Sequence, residues 1–158
     1  MKLIFFGSDD FAAVNLNGLL AAGFEVVACV TQPDRPQGRG LKVLSSPVKE
    51  IALKHRIPLL QPENLKDSVF FDDLKAFDSD LFVVIAYGKI LPAEVLQIPR
   101  LFAVNVHGSL LPRYRGAAPI NWAIINGDAE TGISIIRMNT KMDAGEIIAQ
   151  EKIPIRDD

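Results

Sequence analysis

The sequence of 158 residues predicts an α/β protein with a doubly wound, mostly parallel sheet and an antiparallel hairpin at the C-terminal end of the chain. Uninterrupted apolar runs at residues 2–6 and 81–86 are typical of strands that are covered on both faces. Segments with helical spacing separate such runs, which predicts parallel strands joined by right-handed crossovers. Between residues 133 and 153, apolar residues recur at every second position on either side of a polar turn, which predicts the hairpin.

The first strand, helix and second strand are placed by the residues that end them. Gly7 stops the first apolar run, and Ser8 or Asp9 can cap the helix that follows. Gly23 suits the left-handed end of that helix. The β-branched and apolar residues at 25–31 then predict the second strand.

A long loop is predicted from residue 32 to residue 45, where two prolines and two glycines fall close together. Ser46 and Pro47 predict the start of a helix, because an N-cap precedes a proline at the first helical position. His55 falls on the apolar face of this helix and is predicted to be structural. Two further elements follow, a short strand at 58–60 and a helix around residues 70–77.

The second half of the chain supplies the remaining strands. The apolar runs at 81–86 and 102–106 predict two central strands of the parallel sheet. A short helix is predicted after Pro119, with Trp122 in the core. The hairpin then encloses a polar turn at 139–145. This order of strands and helices is Rossmann-like.

Composition excludes several classes of protein. A single cysteine, Cys29, excludes an internal disulfide and is predicted to pack in the second strand rather than act as a nucleophile. With only two histidines besides, a zinc site is disfavoured and we expect no metal. No apolar run reaches the ~20 residues that span a bilayer, and the N-terminus lacks a signal peptide. The sequence therefore predicts a cytoplasmic protein with no membrane contact.

Charge is unevenly distributed along the chain. Seventeen basic and nineteen acidic residues give a formal charge of −2. Residues 34–56 hold six basic and two acidic residues and so carry +4, which leaves −6 on the rest. This basic segment indicates a local anionic partner or, equally, a solvated loop and helix face.

Common nucleotide and hydrolase motifs are missing from the sequence. One glycine follows the first strand where a dinucleotide site needs three, which disfavours a nicotinamide oxidoreductase. The sequence also lacks a G-x-x-x-x-G-K-[S/T] phosphate loop and the G-x-S-x-G elbow of serine hydrolases.

Polar residues interrupt the strand predicted at 102–106 and its exit. Asn105 and His107 are two positions apart, so they face the same way at the C-terminal end of a central strand, where open α/β sheets bind ligands. A buried unpaired amide costs about 1–3 kcal/mol, so Asn105 must meet a partner. Either residue alone fits a structural role, whereas the pair at this edge favours a functional site.

Two further segments carry candidate site residues. The loop at 108–119 is rich in Gly and Pro. Its apolar residues Leu110-Leu111-Pro112 lie beside Arg113 and Arg115, a combination that suits a flat ring bearing a carboxylate or phosphate. Asp143 lies at the tip of the predicted hairpin and, taken alone, is a turn aspartate.

Three motifs resemble the formyltransferases that use 10-formyltetrahydrofolate: Asn105-x-His107, the segment from Ser109 to Gly116, and Met142-Asp143-Ala144-Gly145. Three more are similar to the branch that formylates initiator methionyl-tRNA: Phe6-Gly7-Ser8-x-x-Phe11, Gln32-Pro33-Asp34-x-Pro36-x-Gly38-Arg39-Gly40 and Gln61-Pro62-Glu63-Asn64-Leu65. The likeness covers all 158 residues. It implies transfer of a formyl group from the folate to the free α-amino group of initiator methionyl-tRNA, in translation initiation.

The resemblance also implies a role for each matching residue. The catalytic trio would be Asn105, His107 and Asp143. The folate would contact Ser109, Leu110, Leu111 and Pro112, and its pterin ring would lie against Ala86, Tyr87, Gly88, Ile90 and Leu91. The basic loop would contact the tRNA acceptor end through Arg35, Arg39 and Lys42. The amine would attack directly, through a tetrahedral oxyanion, with no metal and no covalent enzyme intermediate.

The length fits one domain, residues 1–158. Members of the family continue through more of the catalytic domain and a C-terminal β-barrel that also holds tRNA, so we expect a truncated catalytic domain, and a monomer. Two alternatives stay open. One is a folate-dependent formyltransferase acting on a small amine such as a nucleotide sugar, and the other is a non-catalytic fragment that binds folate or RNA.

Overall fold

The computed structural model of the chain describes residues 1–37 and 42–156. Its strands are β1 (Lys2–Gly7), β2 (Glu25–Val30), β3 (Arg35–Gln37), β4 (Lys42–Leu44), β5 (Leu59–Leu60), β6 (Leu81–Ile85), β7 (Phe102–His107), β8 (Glu130–Arg137) and β9 (Ile147–Pro154). Its helices are α1 (Asp10–Ala21), α2 (Pro47–Lys54), α3 (Ser68–Ala76), α4 (Ala93–Leu96) and α5 (Pro119–Ile125). In the described ranges the longest helix has 12 residues, and none is long and apolar enough to cross a membrane.

Seven strands form one sheet in the order β5-β2-β1-β6-β7-β8-β9. The five strands from β5 to β7 are parallel, whereas β8 pairs with β7 and β9 pairs with β8 in the antiparallel sense. This confirms the predicted doubly wound sheet with an appended hairpin. Because the chain runs outward from β1 to β5 and then returns to β6, the strand order reverses between β1 and β6, which is where such sheets bind ligands.

Both faces of the sheet are covered, as the apolar runs predicted. On one face Leu3 and Phe5 of β1 pack with α1 and α2. On the other face Ile4 and Phe6 pack with α3 and α4. Successive residues of β1 therefore lie in opposite core layers, because strand side chains alternate between the two faces.

Helix α1 begins immediately after β1, as predicted. Asp9 is its N-cap, and the Asp9 carboxylate accepts from the backbone N–H of Ala12 at 2.9 Å. A Cβ on Gly7 would lie 2.6 Å from the Cβ of Ala12, so only glycine lets the helix lie this close to the end of the strand. Gly7, the last residue of β1, thus serves helix packing.

The structure overturns three of the sequence predictions. The segment at 32–45 is not wholly a loop, because β3 and β4 form a two-stranded antiparallel ribbon. Strands of three residues are too short for a periodic pattern, and Pro36 is tolerated because both strands of an isolated ribbon are edges. His55 caps the end of α2 and is exposed, and Trp122 is 50% exposed rather than in the core.

Cys29 lies in β2 and is fully buried, as predicted. Burial raises the pKa of its thiol to about 12, so the thiol stays protonated and unreactive at pH 7. We expect iodoacetamide to leave the folded protein unmodified and to label one thiol per chain in denaturant, measured by mass spectrometry. Labelling of the folded protein at the denatured rate would contradict this burial.

Candidate active site

A cavity of about 510 Å³ opens at the carboxyl ends of β1, β6 and β7, next to the point where the strand order reverses. Its walls come from five parts of the chain: the start of α1, the segment after β6, the end of β7, the loop before α5 and the turn between β8 and β9. The volume is typical of a site for a small molecule. The end of β7 and the turn between β8 and β9, which carry the predicted catalytic residues, therefore line the same cavity.

Asn105, His107 and Asp143 all line this cavity and converge within it. The Asn105 side-chain amide donates from Nδ2 to Oδ1 of Asp143 at 3.2 Å. Nδ1 of His107 lies 3.6 Å from Oδ2 of Asp143, and the two side chains are 7% and 13% exposed. The alternation of β7 and the turn between β8 and β9 thus bring an amide, an imidazole and a carboxylate together. Their catalytic roles stay predictions.

The turn between β8 and β9 holds the Asp143 carboxylate in place. Asp143 has a φ of +45°, and its Oδ2 accepts from the backbone N–H of Gly116 at 2.9 Å. A Cβ on Gly145 would lie 1.7 Å from the carbonyl oxygen of Arg137, so the turn closes only with glycine there. The amide of Gly116 is a contact that the sequence did not predict, since a backbone donor carries no side-chain signature.

The orientation of the His107 ring is set by a backbone carbonyl. Nε2 of His107 lies 2.8 Å from the carbonyl oxygen of Tyr114. Because a carbonyl oxygen can only accept, Nε2 carries a proton, and in the neutral ring Nδ1 is the unprotonated nitrogen. Nδ1 is therefore free to take up a proton next to the Asp143 carboxylate.

All five residues of the predicted pterin site line the cavity: Ala86, Tyr87, Gly88, Ile90 and Leu91. Gln32 donates from Nε2 to the carbonyl oxygen of Tyr87 at 2.8 Å and so fixes the turn after β6. The Tyr87 ring packs edge-on to Phe6, and its buried hydroxyl has no hydrogen-bond partner among the described residues. Burial raises the pKa of Tyr87 to about 12, so the phenol stays neutral.

Ser109, Leu110, Leu111 and Pro112, predicted to contact folate, do not line this cavity. The Ser109 hydroxyl donates to the carbonyl oxygen of Arg113 at 2.6 Å, and the Ser134 hydroxyl donates to the carbonyl oxygen of Ser109 at 2.6 Å. Ser109 and Leu111 are buried in this turn, whereas Pro112 is exposed. The folate contacts of this segment stay a prediction.

The predicted tRNA-binding residues are only partly described. Arg35 begins β3 and is exposed, Arg39 lies outside the described residues, and Lys42 begins β4. The root of the ribbon is held by Asp34, which pairs with Lys49 and accepts from Gln61 Nε2 at 3.0 Å. Hydrogen bonds from these two side chains hold the pKa of Asp34 below its usual range. The Gln-Pro motifs thus build the base of the basic ribbon.

Strained backbone is concentrated around the cavity. Among the described residues, six non-glycine residues have a positive φ, and four of these lie at or beside the cavity, whereas Arg56 and Asp78 lie elsewhere. The four are Ala86, Tyr114, Ala118 and Asp143. Three of them line the cavity, and the fourth supplies the carbonyl that faces His107. Such residues are uncommon and cluster at functional sites, where the surrounding structure holds them.

Comparisons with known proteins cover the whole chain. A family described as "Formyl transferase" matches residues 1–158. Methionyl-tRNA formyltransferase of Moorella thermoacetica is 52% identical over 155 residues, which cover 98% of this chain and 50% of that protein. The Synechococcus sp. protein of the same name is 54% identical over 158 residues, covering 98% and 49%. The chain thus spans about half the length of the curated relatives it matches.

Solved structures support the fold. Phosphoribosylglycinamide formyltransferase from Bacillus halodurans superposes with a TM-score of 0.80 at 24% identity, covering 99% of this chain and 81% of that one. A formyltetrahydrofolate deformylase from Pseudomonas syringae superposes with a TM-score of 0.75 at 19% identity, covering 99% and 52%. At these identities the likeness speaks for the architecture alone.

Proposed function

Because the chain belongs to the formyl transferase family, we propose that it transfers a formyl group from 10-formyltetrahydrofolate to the α-amino group of initiator methionyl-tRNA. Relatives of about half identity carry the name methionyl-tRNA formyltransferase, which supports this acceptor. The observation that carries the proposal is the convergence of Asn105, His107 and Asp143 in one cavity at the carboxyl edge of the sheet. In this role the protein serves translation initiation.

The cavity suits a flat donor with a polar edge. Leu91 and Ile90 supply apolar wall, and the turn that begins at Ala86 presents backbone groups beside it. Sites of this kind combine a mostly apolar lining with a few polar groups that fix orientation. We infer that the pterin ring lies against residues 86–91 and that its formyl group reaches the catalytic trio.

Formyl transfer begins when the amine nitrogen attacks the formyl carbon and the formyl oxygen takes up negative charge. Asn105 donates one amide N–H to Asp143 and has a second N–H for this oxyanion. One well-placed donor of this kind is worth about 3–4 kcal/mol to the transition state. Asn105 supplies it without any change in protonation.

The attacking amine must then lose a proton, and the leaving nitrogen of the folate must gain one. Nδ1 of His107 can accept the first proton, and the Asp143 carboxylate 3.6 Å away stabilises the imidazolium that forms. The same proton is available to the folate nitrogen as its bond to carbon breaks. The products are the formylated amine and tetrahydrofolate, so protons and bonds balance without a metal.

A formylation assay tests the proposal directly. The chain is mixed with 10-formyltetrahydrofolate and charged initiator tRNA, and formyl-methionyl-tRNA is separated and quantified. We expect turnover that depends on both substrates. Binding of folate or tRNA without any transfer would instead favour a non-catalytic module, and transfer to a small amine but not to tRNA would favour a different acceptor.

The basic ribbon is expected to make tRNA binding sensitive to salt. Replacing Arg35, Arg39 and Lys42 with serine removes up to three phosphate contacts, so the slope of log affinity against log salt should fall by about 2 for a single-stranded acceptor end. Filter binding across a salt series measures this slope. Exposed cations elsewhere, changed together to serine, provide a matched control: Lys66, Lys75 and Arg156. An equal loss in both triple variants would contradict a specific role for the ribbon.

A further inference from the structure

The position of one backbone carbonyl group determines which of the two ring nitrogens of His107 carries the proton. That carbonyl belongs to Tyr114, whose φ is +55°. A bulky residue is strained in this left-handed conformation, so the surrounding structure must hold it there. Whatever holds Tyr114 also decides which ring nitrogen of His107 faces Asp143.

Three side chains, those of Arg113, Asn126 and Asp128, hold the Tyr114 side chain in place. We call the four residues together the Asp128 clasp. The Tyr114 hydroxyl donates to Oδ2 of Asp128 at 2.7 Å, and Nδ2 of Asn126 donates to the Tyr114 hydroxyl at 3.0 Å. Nη2 of Arg113 donates to both oxygens of Asp128, at 2.8 and 2.9 Å. The Asp128 carboxylate is thus the common partner of two neighbouring residues of the loop.

The backbone of Asp128 is held by hydrogen bonds to the end of a helix. It follows the C-terminal end of α5, where its backbone N–H donates to the carbonyl oxygen of Ala123 at 3.0 Å. Gly127 adds a second bond of the same kind, from its N–H to the carbonyl oxygen of Ile124 at 3.0 Å. The Asp128 side chain is 13% exposed. The clasp therefore ties a strained loop residue to the anchored end of a helix.

Asp128 does not line the cavity that holds Asn105, His107 and Asp143. Its link to the site runs through the Tyr114 side chain to the Tyr114 carbonyl, and from that carbonyl to Nε2 of His107. Without the carboxylate, the Tyr114 hydroxyl loses the acceptor of its proton and keeps two donors, Nδ2 of Asn126 at 3.0 Å and Nη2 of Arg113 at 3.4 Å. The left-handed backbone is then free to relax. The carbonyl would then leave Nε2.

We propose that Asp128 is a positioning residue that fixes His107 with its proton on Nε2 and its free Nδ1 towards Asp143. The catalytic meaning of this inference rests on the proposed function, because Nδ1 is the atom assigned to take the proton of the amine. The ring orientation itself does not rest on it.

The test compares four variants of the full chain with the wild type: Asp128→Ala, Asp128→Asn, Tyr114→Phe and, as a matched charge control on the exposed face of α3, Asp72→Asn. Isotopic labelling of histidine and two-bond nitrogen–proton correlation spectra show which ring nitrogen carries the proton. The chain has two histidines, and exposed His55 serves as the internal reference. Formylation kinetics and thermal unfolding are measured in parallel.

We expect the wild-type His107 to show the Nε2-protonated form and Asp128→Ala and Tyr114→Phe to show a mixture of both forms, with His55 unchanged. kcat should fall about tenfold in these two variants, with little change in KM. Asp128→Asn should recover part of the loss, because its amide oxygen can still accept from the Tyr114 hydroxyl. Asp72→Asn should match the wild type.

Two outcomes overturn the proposal: an unchanged His107 spectrum in Asp128→Ala, or a fall in kcat with the Nε2-protonated form intact. If Asp128→Ala does not fold, Asp128→Asn and Tyr114→Phe decide the question by the same spectra. If the wild type shows the fixed ring but transfers no formyl group, the proposed function fails while the positioning of His107 stands.

Discussion

Replacing His107 with alanine is expected to lower kcat for formyl transfer by about 10³-fold, because the variant loses the proton acceptor at Nδ1 and the charge that forms on it. The side chain lies at the cavity wall, so its removal leaves the β7 backbone ladder intact. The Tyr114 carbonyl and the Asp143 carboxylate can turn to water that enters the cavity. The measurement is formyl-methionyl-tRNA formed per unit time at saturating substrates.

The second histidine provides a matched control. His55 is exposed at the end of α2 and does not line the cavity, so His55→Ala should keep the wild-type rate. Circular dichroism and the unfolding midpoint check that both variants are folded. A His107→Ala protein with near wild-type kcat would remove the catalytic assignment of this residue.

Replacing Asp143 with asparagine should lower kcat by at least about 10²-fold, although it keeps the size of the side chain. Oδ1 of Asp143 accepts from Asn105 and Oδ2 accepts from Gly116, but an asparagine has only one accepting oxygen. Its NH₂ group would then face either another donor or the imidazolium of His107. Asparagine tolerates positive φ, so the turn itself is retained and the loss reports on the carboxylate.

The same hairpin offers a control for Asp143→Asn. Glu146 is an exposed carboxylate three positions further along, and Glu146→Gln changes the net charge equally. We expect its kcat to equal that of the wild type. Steady-state kinetics of both variants decide the point, and equal losses would show that net charge near the cavity, and not the Asp143 contacts, controls the rate.

Much of the sheet was predictable because its strands carry strong local patterns. The wholly apolar run at 81–86 contains β6, which ends at Ile85 and has parallel neighbours on both sides. The alternation around Ile133 and Ile135 gave β8 with its correct antiparallel neighbours. Helix starts were equally clear, since Asp9 and Ser46 both cap as expected.

Short or exposed elements carry no such pattern. The three-residue strands β3 and β4 and the four-residue helix α4 are too brief to show a period, and α4 was not predicted. The chemistry of Trp122 predicts a core position, but its burial depends on what packs against α5, which is a property of the whole fold. An aromatic residue alone does not report its own exposure.

The candidate site was predictable as side chains but not as a network. Asn105 and His107 stood out because polar residues are unexpected in a central strand. The carbonyl of Tyr114 and the amide of Gly116 are backbone groups that every residue type offers, so their identity gives no signal. Asp128 joins the site through Tyr114, which is 14 residues away from it in sequence, and only coordinates show that link.

The pairing of distant segments sets the order in which a folding chain can form its sheet and its candidate active site. The centre of the sheet forms only when β1 pairs with β6, almost 80 residues later in the sequence. The hydrogen bond from the backbone N–H of Lys2 to the Asp80 carboxylate spans this separation. Asn105 meets Asp143 across a further gap of 38 residues, through the docking of a separate hairpin. Non-local pairings of this kind form slowly. Recovery of catalysis after refolding therefore cannot precede the docking of β8 on β7, even where the central strands have already associated.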